Sequence, residues 1–441
     1  MARDDSDIEG GATVGDVEGG ATVVADELDG ERTLVPLLAP RDGVPPVVSD
    51  PEALQQLVRR FAAAQGPVAV DAERASGYRY SGRAYLVQLR RQHVGTLLVD
   101  PIPFGDLGAL GAAVGDAEWV LHAASQEMAC LADVGLRPHR LFDTELAGRL
   151  LNYPKVGLAT MVEDVLGFRL RKEHSAVDWS RRPFPESWLS YAALDVEVLV
   201  ELRDILAEQL RSLGKLGWAE QEFTALAART PPAPRLEPWR RTTGVHRIRS
   251  RRGLAVVRAL WEARDQIARQ RDIAPGRVLK DAAICEAANA LPKDRAALTA
   301  LPAFRGRGAE RYLPRWVAAA RQAQQLPDDE LPALAARYEG PPPARSWPDR
   351  HPAAAARLAL CREVMRELAD VHAVPVENLL APDTVRRLAW EPPAEVTTAQ
   401  VEHRLRASGA RDWQVQLSAV LLADALRGSS GASAGPDGLE H

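Results

Sequence analysis

The sequence predicts an α/β domain with a mixed sheet flanked by helices, followed by two small all-α bundles. Three observations support this fold class. Short apolar runs typical of strands alternate with helical periodicity up to about residue 228. A proline-rich break follows at residues 230–235, and the pattern beyond it is helical. Within that helical part, a weak internal repeat indicates two modules.

The predicted elements of the first domain follow from periodicity and from turn residues. Asp50 caps a helix that runs to about Ala64, and Gly66-Pro67 ends it. The further predicted elements are, in order, a strand at 68–73, a hairpin of strands at 84–89 and 94–99, a strand at 119–123, a helix from about Gln126, helices at 142–151 and 158–166, and a long helix from Pro185.

The repeat in the helical part consists of an apolar pair, a proline and a leucine at matching spacing. Ile267-Ala268, Pro275 and Leu279 form the first copy, and Leu368-Ala369, Pro375 and Leu379 form the second. The predicted domains are an acidic tail at 1–33, the α/β domain at 34–228, a linker at 229–246, a first helical module at 247–326, a linker at 327–350, a second module at 351–428 and a tail at 429–441.

Composition is that of a globular protein with several domains: 441 residues, 46% hydrophobic and 26% charged. No apolar run approaches the roughly 20 residues of a membrane span, and the first residues are acidic, unlike a signal peptide. Cys130, Cys285 and Cys361 lie far apart in apolar helical contexts, which favours buried thiols over a metal or disulfide set. We therefore expect a cytoplasmic location.

Charge is distributed unevenly along the chain. The net charge is −5, but the first 32 residues contain ten acids and two arginines, a balance of −8 that leaves +3 for the rest. Like charge and few large apolar groups predict that the N-terminal tail is disordered. The mildly basic remainder is compatible with a polyanionic partner.

Two acids on the strand at 68–73 are the first candidate site residues. Asp71 and Glu73 are two residues apart, so both side chains leave the same face of the strand, about 7 Å apart along the chain. Carboxylates this close repel each other unless a cation lies between them, and oxygen ligands favour Mg²⁺ or Mn²⁺. The alternative is a solvated face without a metal.

Further acids are candidates for the same place. Tyr191 and Asp195 lie one turn apart on an apolar helix face, where a carboxylate is costly unless it binds a cation or an arginine. Glu127 falls in the first turn of a helix that follows a strand, a usual position for a site residue in an α/β sheet. Asp143 is predicted to cap a helix. His122 has no partner His or Cys at ligand spacing, so a structural role is the first interpretation and a substrate contact the second.

These motifs together resemble the DEDD exonuclease superfamily in its tyrosine form. Asp71-x-Glu73 resembles the first motif, the stretch from His122 to Glu127 the second, and Tyr191-x-x-x-Asp195 the third. The intervening segments at 85–89, 142–144 and 178–183 resemble ribonuclease D, and the two modules resemble HRDC domains. The first module is the better match, through the segment at 261–268.

The resemblance implies a ribonuclease-H-like fold and 3′→5′ removal of nucleotides from RNA with two divalent ions, Mg²⁺ or Mn²⁺. The implied metal ligands are Asp71, Glu73, Glu127 and Asp195, and Tyr191 is the implied residue that orients the attacking water. The expected substrates are tRNA and other stable RNA precursors. This sequence departs from the motif at Glu127, where the family has aspartate, so we expect attenuated activity.

Basic residues are the candidates for substrate contacts. Lys172 and Arg182 flank the third motif, and Arg247, Arg249 and Arg251 lie near Trp239 at the start of the first module. Guanidinium groups pair with phosphates and stack on bases, although solvated surface charge is the alternative in both places. Two other functions stay open: a nuclease acting on DNA ends, and an RNA-binding scaffold whose site has decayed at Glu127.

Overall fold

The computed structural model describes residues 34–170, 176–230, 235–334 and 340–431. The acidic tail, Lys172 and the last ten residues lie outside this part of the chain. Residues 429–431, predicted as tail, belong to the final helix. None of the described helices is long and apolar enough to cross a membrane.

A six-stranded mixed sheet forms the centre of the first domain, as predicted. Its strand order is β2-β5-β4-β3-β6-β7, in which β4 is antiparallel to β3 and β5 and the other neighbours are parallel. A separate parallel pair joins β1 and β8. The strands are β1 Val35–Leu37, β2 Val47–Val48, β3 Val68–Arg74, β4 Ala84–Arg91, β5 Gly95–Val99, β6 Glu118–Leu121, β7 Arg140–Asp143 and β8 Phe168–Leu170.

Helices cover the sheet and build both modules. In the first domain they are α1 Pro51–Ala63, α2 Gly108–Ala113, α3 Ala124–Asp133, α4 Thr144–Leu150, α5 Leu158–Met161, α6 Glu186–Glu197, α7 Leu199–Ser212 and α8 Leu216–Ala227. The first module has α9 Arg251–Arg271, α10 Pro275–Val278, α11 Asp281–Ala290, α12 Arg295–Ala300, α13 Arg307–Arg311 and α14 Leu313–Gln325. The second has α15 Trp347–Arg350, α16 Pro352–His372, α17 Val376–Leu379, α18 Pro382–Trp390, α19 Thr398–Ala407 and α20 Asp412–Gly431.

Strand β3 separates two apolar layers. Val68 and Val70 belong to the main core with Phe61 of α1, whereas Ala69 packs with Val196 and Leu199 on the opposite face. Because side chains alternate along a strand, Asp71 and Glu73 share the face of Ala69, which α6 and α7 cover. Folding of the apolar residues therefore fixes the direction of the two acids.

Two sequence predictions about this domain were wrong in detail, and four short strands were not predicted. The segment at 142–151 begins with strand residues, because Phe142 and Asp143 belong to β7 and the helix starts at Thr144. The long helix from Pro185 is two helices separated by Val198, across which the apolar pattern continues. Strands β1, β2, β7 and β8 have two to four residues each, too few for a periodic signal.

The internal repeat corresponds to a shared structural corner in the two modules. The residues that cap the C-terminal ends of α9 and α16, Asp272 and Ala373, are both in the left-handed conformation, and a short helix follows each. Each corner contacts the first domain. In the second module, Nζ of buried Lys215 donates to the carbonyls of Leu150 and Ala373 at 2.8 and 2.9 Å, and the rings of Trp218 and Trp413 stack beside them.

The predicted linker before the first module is partly integrated into that module. Trp239 is only 3% exposed and belongs to the module's apolar core, and Leu331 joins the same core from beyond the predicted end at residue 326. The module therefore extends on both sides of its predicted bounds. A buried tryptophan contributes more apolar area than any other side chain, which explains why the chain folds back here.

Candidate active site

Asp71, Glu73 and Asp195 form a carboxylate cluster. One oxygen from each lies within 4.8 Å of the others, although Asp195 is on α6, more than 120 residues from β3. Burial raises the pKa of Asp71 and Glu73 well above the ordinary range, and the charges of neighbouring carboxylates raise both further. Burial also raises the pKa of Asp195 to about 7. An all-oxygen cluster with this charge suits a hard divalent cation.

Tyr191 lies one helical turn before Asp195, lines the same cleft and makes a hydrogen bond with that carboxylate. Burial raises the pKa of Tyr191 far above its usual value, and the charge of Asp195 adds to the effect. The phenol therefore stays protonated at neutral pH. Its proton is donated to Asp195, so the hydroxyl oxygen of Tyr191 can accept a hydrogen bond from a water, and the raised pKa makes it a poor general base.

Glu127 lies in the first turn of α3 and lines the same cleft, with a partner that sequence reasoning missed. Its Oε1 accepts a hydrogen bond from Nη2 of Arg74 at 2.9 Å, and its Oε2 is 3.5 Å from Sγ of Cys130. Arg74 follows a shift in the register of β3 against β4, between Glu73 and Arg74, and forms the last pair of these strands with Ala84. Burial raises the pKa of Glu127, and the positive charge of Arg74 opposes that rise. The only available signal was the position of Arg74 directly after the acid pair.

Asp143 caps a helix as predicted, and it also supports a second one. Its carboxylate accepts the N–H groups of Glu145 and Leu146 in α4 and those of Ala123 and Ala124 at the start of α3. Ala123 has the left-handed φ of 56°, an unfavourable conformation for alanine that these hydrogen bonds stabilise. Asp143 thereby fixes the turn that carries Glu127.

The carboxylates lie in an open cleft of about 690 Å³. One wall is formed by the loop that follows β3, including Gly77 and Tyr78, and other wall residues come from α3, α5 and the segment around Val177. Sequence reasoning gave this loop no role, although two tyrosines, Tyr78 and Tyr80, follow closely after the acid pair. The volume is within the usual range for a small-molecule or nucleotide site.

Of two predicted substrate contacts near the cleft, Arg182 is engaged within the protein, and His122 lines the cleft with one ring nitrogen engaged. Arg182 uses all five of its N–H groups: a bidentate pair with Asp100 at 2.6 and 2.9 Å, and backbone carbonyls for the others. The phosphate contact expected for Arg182 is therefore wrong. His122 lines the cleft, but its Nδ1 lies 2.9 Å from Oγ1 of Thr144, and burial lowers its pKa to about 4. Its neutral ring agrees with the structural role predicted first.

The basic residues of the first module differ in availability. Arg247 and Arg249 are exposed. Arg251 donates to the carbonyls of Leu331 and Pro332 at 2.7 and 3.2 Å, so part of its guanidinium is engaged within the module. The stacking surface expected from Trp239 is not available, because that ring is buried.

Comparison with known proteins agrees with this arrangement of fold and site. The family model described as "3'-5' exonuclease" matches residues 45–211, the HRDC domain model matches residues 253–319, and the model described as "3' to 5' exonuclease C-terminal domain" matches residues 340–426. The mixed sheet, the acid cluster and these matches define a 3′→5′ exonuclease with appended helical modules.

Curated relatives and solved structures specify the family. Ribonuclease D of Gluconacetobacter diazotrophicus is 30% identical over 342 residues, which cover 76% of this chain and 83% of that protein. Ribonuclease D of Acidiphilium cryptum is 31% identical over 79% and 87%. This chain belongs to the ribonuclease D family of hydrolytic 3′→5′ exoribonucleases.

Two solved structures cover nearly the whole of the described fold. A protein from Bifidobacterium adolescentis superposes with a TM-score of 0.82 at 36% identity, over 89% of this chain and all of the other. Escherichia coli RNase D, described as an exoribonuclease involved in structured RNA processing, superposes with a TM-score of 0.64 at 25% identity, over 87% and 98%. The family depends on divalent metal ions, and the acid cluster is where this chain can hold them.

Proposed function

We propose that this enzyme releases nucleoside 5′-monophosphates one at a time from the 3′ ends of structured RNA, such as tRNA precursors, with two Mg²⁺ or Mn²⁺ ions. The observation that carries the proposal is the cluster of Asp71, Glu73 and Asp195 beside Tyr191 in an open cleft. Relatives named ribonuclease D support RNA as the substrate, and the involvement of the Escherichia coli enzyme in structured RNA processing supports structured RNA.

In the proposed reaction, the residues of the cleft have different roles. Asp71, Glu73 and Asp195 would hold the cations, whose chemistry is to neutralise charge that develops on the scissile phosphate and to acidify water. Tyr191, whose proton is donated to Asp195, would orient the attacking water by accepting a hydrogen bond from it. Glu127 lines the same cleft but lies outside the cluster of three; it would complete the ligand set, with its ion pair to Arg74 positioning the carboxylate.

Substrate contacts outside the cleft involve the first module. We propose Arg247 and Arg249 as phosphate contacts, because both are exposed and close in sequence. Replacing both by alanine should weaken RNA binding and reduce the slope of log affinity against log salt by about one per lost contact. An unchanged slope would assign these arginines to solvated surface.

The test uses a tRNA precursor together with matched RNA and DNA oligonucleotides, each labelled at the 5′ end and incubated with Mg²⁺, Mn²⁺ or EDTA. Wild type should shorten RNA from the 3′ end and release mononucleotides only with metal. Asp71→Asn should abolish release, and Asp329→Asn, which changes an exposed aspartate in a turn, should not. Equal or faster digestion of DNA would favour the DNA-end nuclease, and binding without metal-dependent release would favour an RNA-binding scaffold.

A further inference from the structure

The loop at residues 75–83, which follows the acid strand β3, is bound by the corner of the first module at residues 272–277. Nε of Arg277 donates to the carbonyl of Gly77 at 2.9 Å, and its guanidinium lies 4.1 Å above the ring of Tyr78. The N–H of Ala274 donates to the carbonyl of Tyr78 at 3.0 Å. Gly77 and Tyr78, which these contacts reach, are two of the three loop residues that line the active-site cleft.

The rest of the loop is bound by polar groups of the same module. Oδ1 of Asp272 accepts the N–H of Ser81 at 2.8 Å, and Oδ2 is 3.3 Å from the hydroxyl of Tyr85. The hydroxyl of Tyr80 donates to Oδ1 of Asp265 at 2.9 Å. The left-handed φ of 47° at Asp272 turns the chain so that the corner can face the loop.

The first domain holds this loop at Ala75, which is buried in its core, and at Arg79, whose Nε donates to Oγ of Ser180 at 2.7 Å. The segment between these two residues has less support. It contains no helix or strand, Ser76 and Gly77 are exposed, and Tyr78 is only partly buried. Within the first domain, the hydroxyl of Tyr78 makes one long contact, 3.4 Å to the carbonyl of Ala176. A loop with few buried contacts samples several conformations unless a neighbour restricts it. The position of this cleft wall therefore depends on the first module as well as on its own domain.

We propose that the first helical module is part of the nuclease site: Arg277 is a positioning residue that fixes the Gly77–Tyr78 wall next to the carboxylate cluster. The inference rests on the proposed nuclease function and deepens it. It assigns the module an effect on turnover that does not require the module to touch RNA. A module that only binds RNA would instead affect KM, and only for substrates long enough to reach it.

The test compares turnover on an RNA trinucleotide, which occupies the cleft alone, with turnover on a tRNA precursor. Arg277→Ala should lower kcat on the trinucleotide on the order of tenfold, because small displacements of positioning groups have effects of this size, with KM nearly unchanged. Arg321→Ala is the matched control, because it removes an exposed arginine of α14 in the same module. Adding Arg277→Ala to Tyr78→Ala should cause little further loss, because both changes release the same wall.

A second measurement does not depend on activity. Amide hydrogen exchange of Ser81 and Ala274, whose N–H groups join loop and corner, should be slow in wild type and faster in Arg277→Ala. Three results for Arg277→Ala would each overturn the inference. They are a kcat on the trinucleotide equal to that of wild type, a change only in KM and only on long RNA, and unchanged hydrogen exchange at both amides. Absence of metal-dependent release by wild type would refute the proposed function instead, and hydrogen exchange would still decide whether Arg277 fixes the wall.

Discussion

Replacing Asp195 by asparagine should stabilise the metal-free protein while abolishing its activity. Burial raises the pKa of Asp195 from an ordinary 3.8 to about 7, so ionised Asp195 is unfavourable in the folded state when no cation compensates it. A difference of this size between folded and unfolded chains corresponds to at most about 4 kcal/mol of lost stability at high pH. Asparagine keeps the shape of the side chain and can still accept the hydrogen bond from Tyr191.

The sign of the pH dependence follows from proton binding. The unfolded chain loses this proton near pH 3.8 and the folded protein near pH 7, so the folded state binds more protons between these values. Stability is therefore complete below about pH 4 and decreases as pH rises to about 7. For this carboxyl group alone, metal-free wild type should be about 2–3 kcal/mol less stable at pH 8 than at pH 5.

Urea unfolding of EDTA-treated protein at pH 5 and pH 8 measures this effect. Asp195→Asn should be more stable than wild type by about 2–4 kcal/mol at pH 8, and by roughly half as much or less at pH 5. Added Mg²⁺ should stabilise wild type more than the variant. Asp329→Asn should match wild type throughout. A variant that is less stable than wild type at pH 8, or a difference independent of pH, would refute the reasoning.

Three further predictions concern neighbouring residues. Asp143→Ala should cost about 3–5 kcal/mol in urea unfolding because it leaves four N–H groups without an acceptor, whereas Asp50→Ala at the exposed cap of α1 should cost about 1 kcal/mol; equal costs would contradict the double cap. Tyr191→Phe should lower kcat by about 10–100-fold and leave the shape of the pH–rate profile unchanged, because the phenol stays protonated; loss of the rise in rate with increasing pH would show that it is a base. Glu127→Asp should raise kcat by restoring the acid of the family motif; a fall would show that the ion pair with Arg74 makes glutamate the working acid here.

Local patterns in the sequence predicted much of the fold. Strand β3, the hairpin β4–β5 and helix α1 follow from alternation, turn residues and the Asp50 cap, and the structure has all three. The internal repeat predicted two modules, and both end their first long helix at the same left-handed corner. These features depend on residues near one another in the chain, so a single sequence contains enough information to find them.

Contacts between distant residues account for what the sequence did not predict. Arg182 was expected to bind phosphate, but it pairs with Asp100, 82 residues away, through a geometry that no local pattern encodes. Trp239 was expected to be available to RNA and is buried in the first module. The predictions for Arg182 and Trp239 depended on neighbouring residues in the sequence. Their positions in the structure depend on contacts with residues far away in the chain.

In the active site, too, some features follow from local sequence and others from contacts between distant residues. The sequence by itself determined that Asp71 and Glu73 share a strand face and that Tyr191 and Asp195 share a helix face, because the strand and helix periods fix those directions. Only the tertiary structure decided that the two faces meet in one cluster, that Arg74 pairs with Glu127, and that the first module forms contacts with the cleft wall. These depend on packing between elements far apart in the chain, and the apolar core, not the acids, determines that packing.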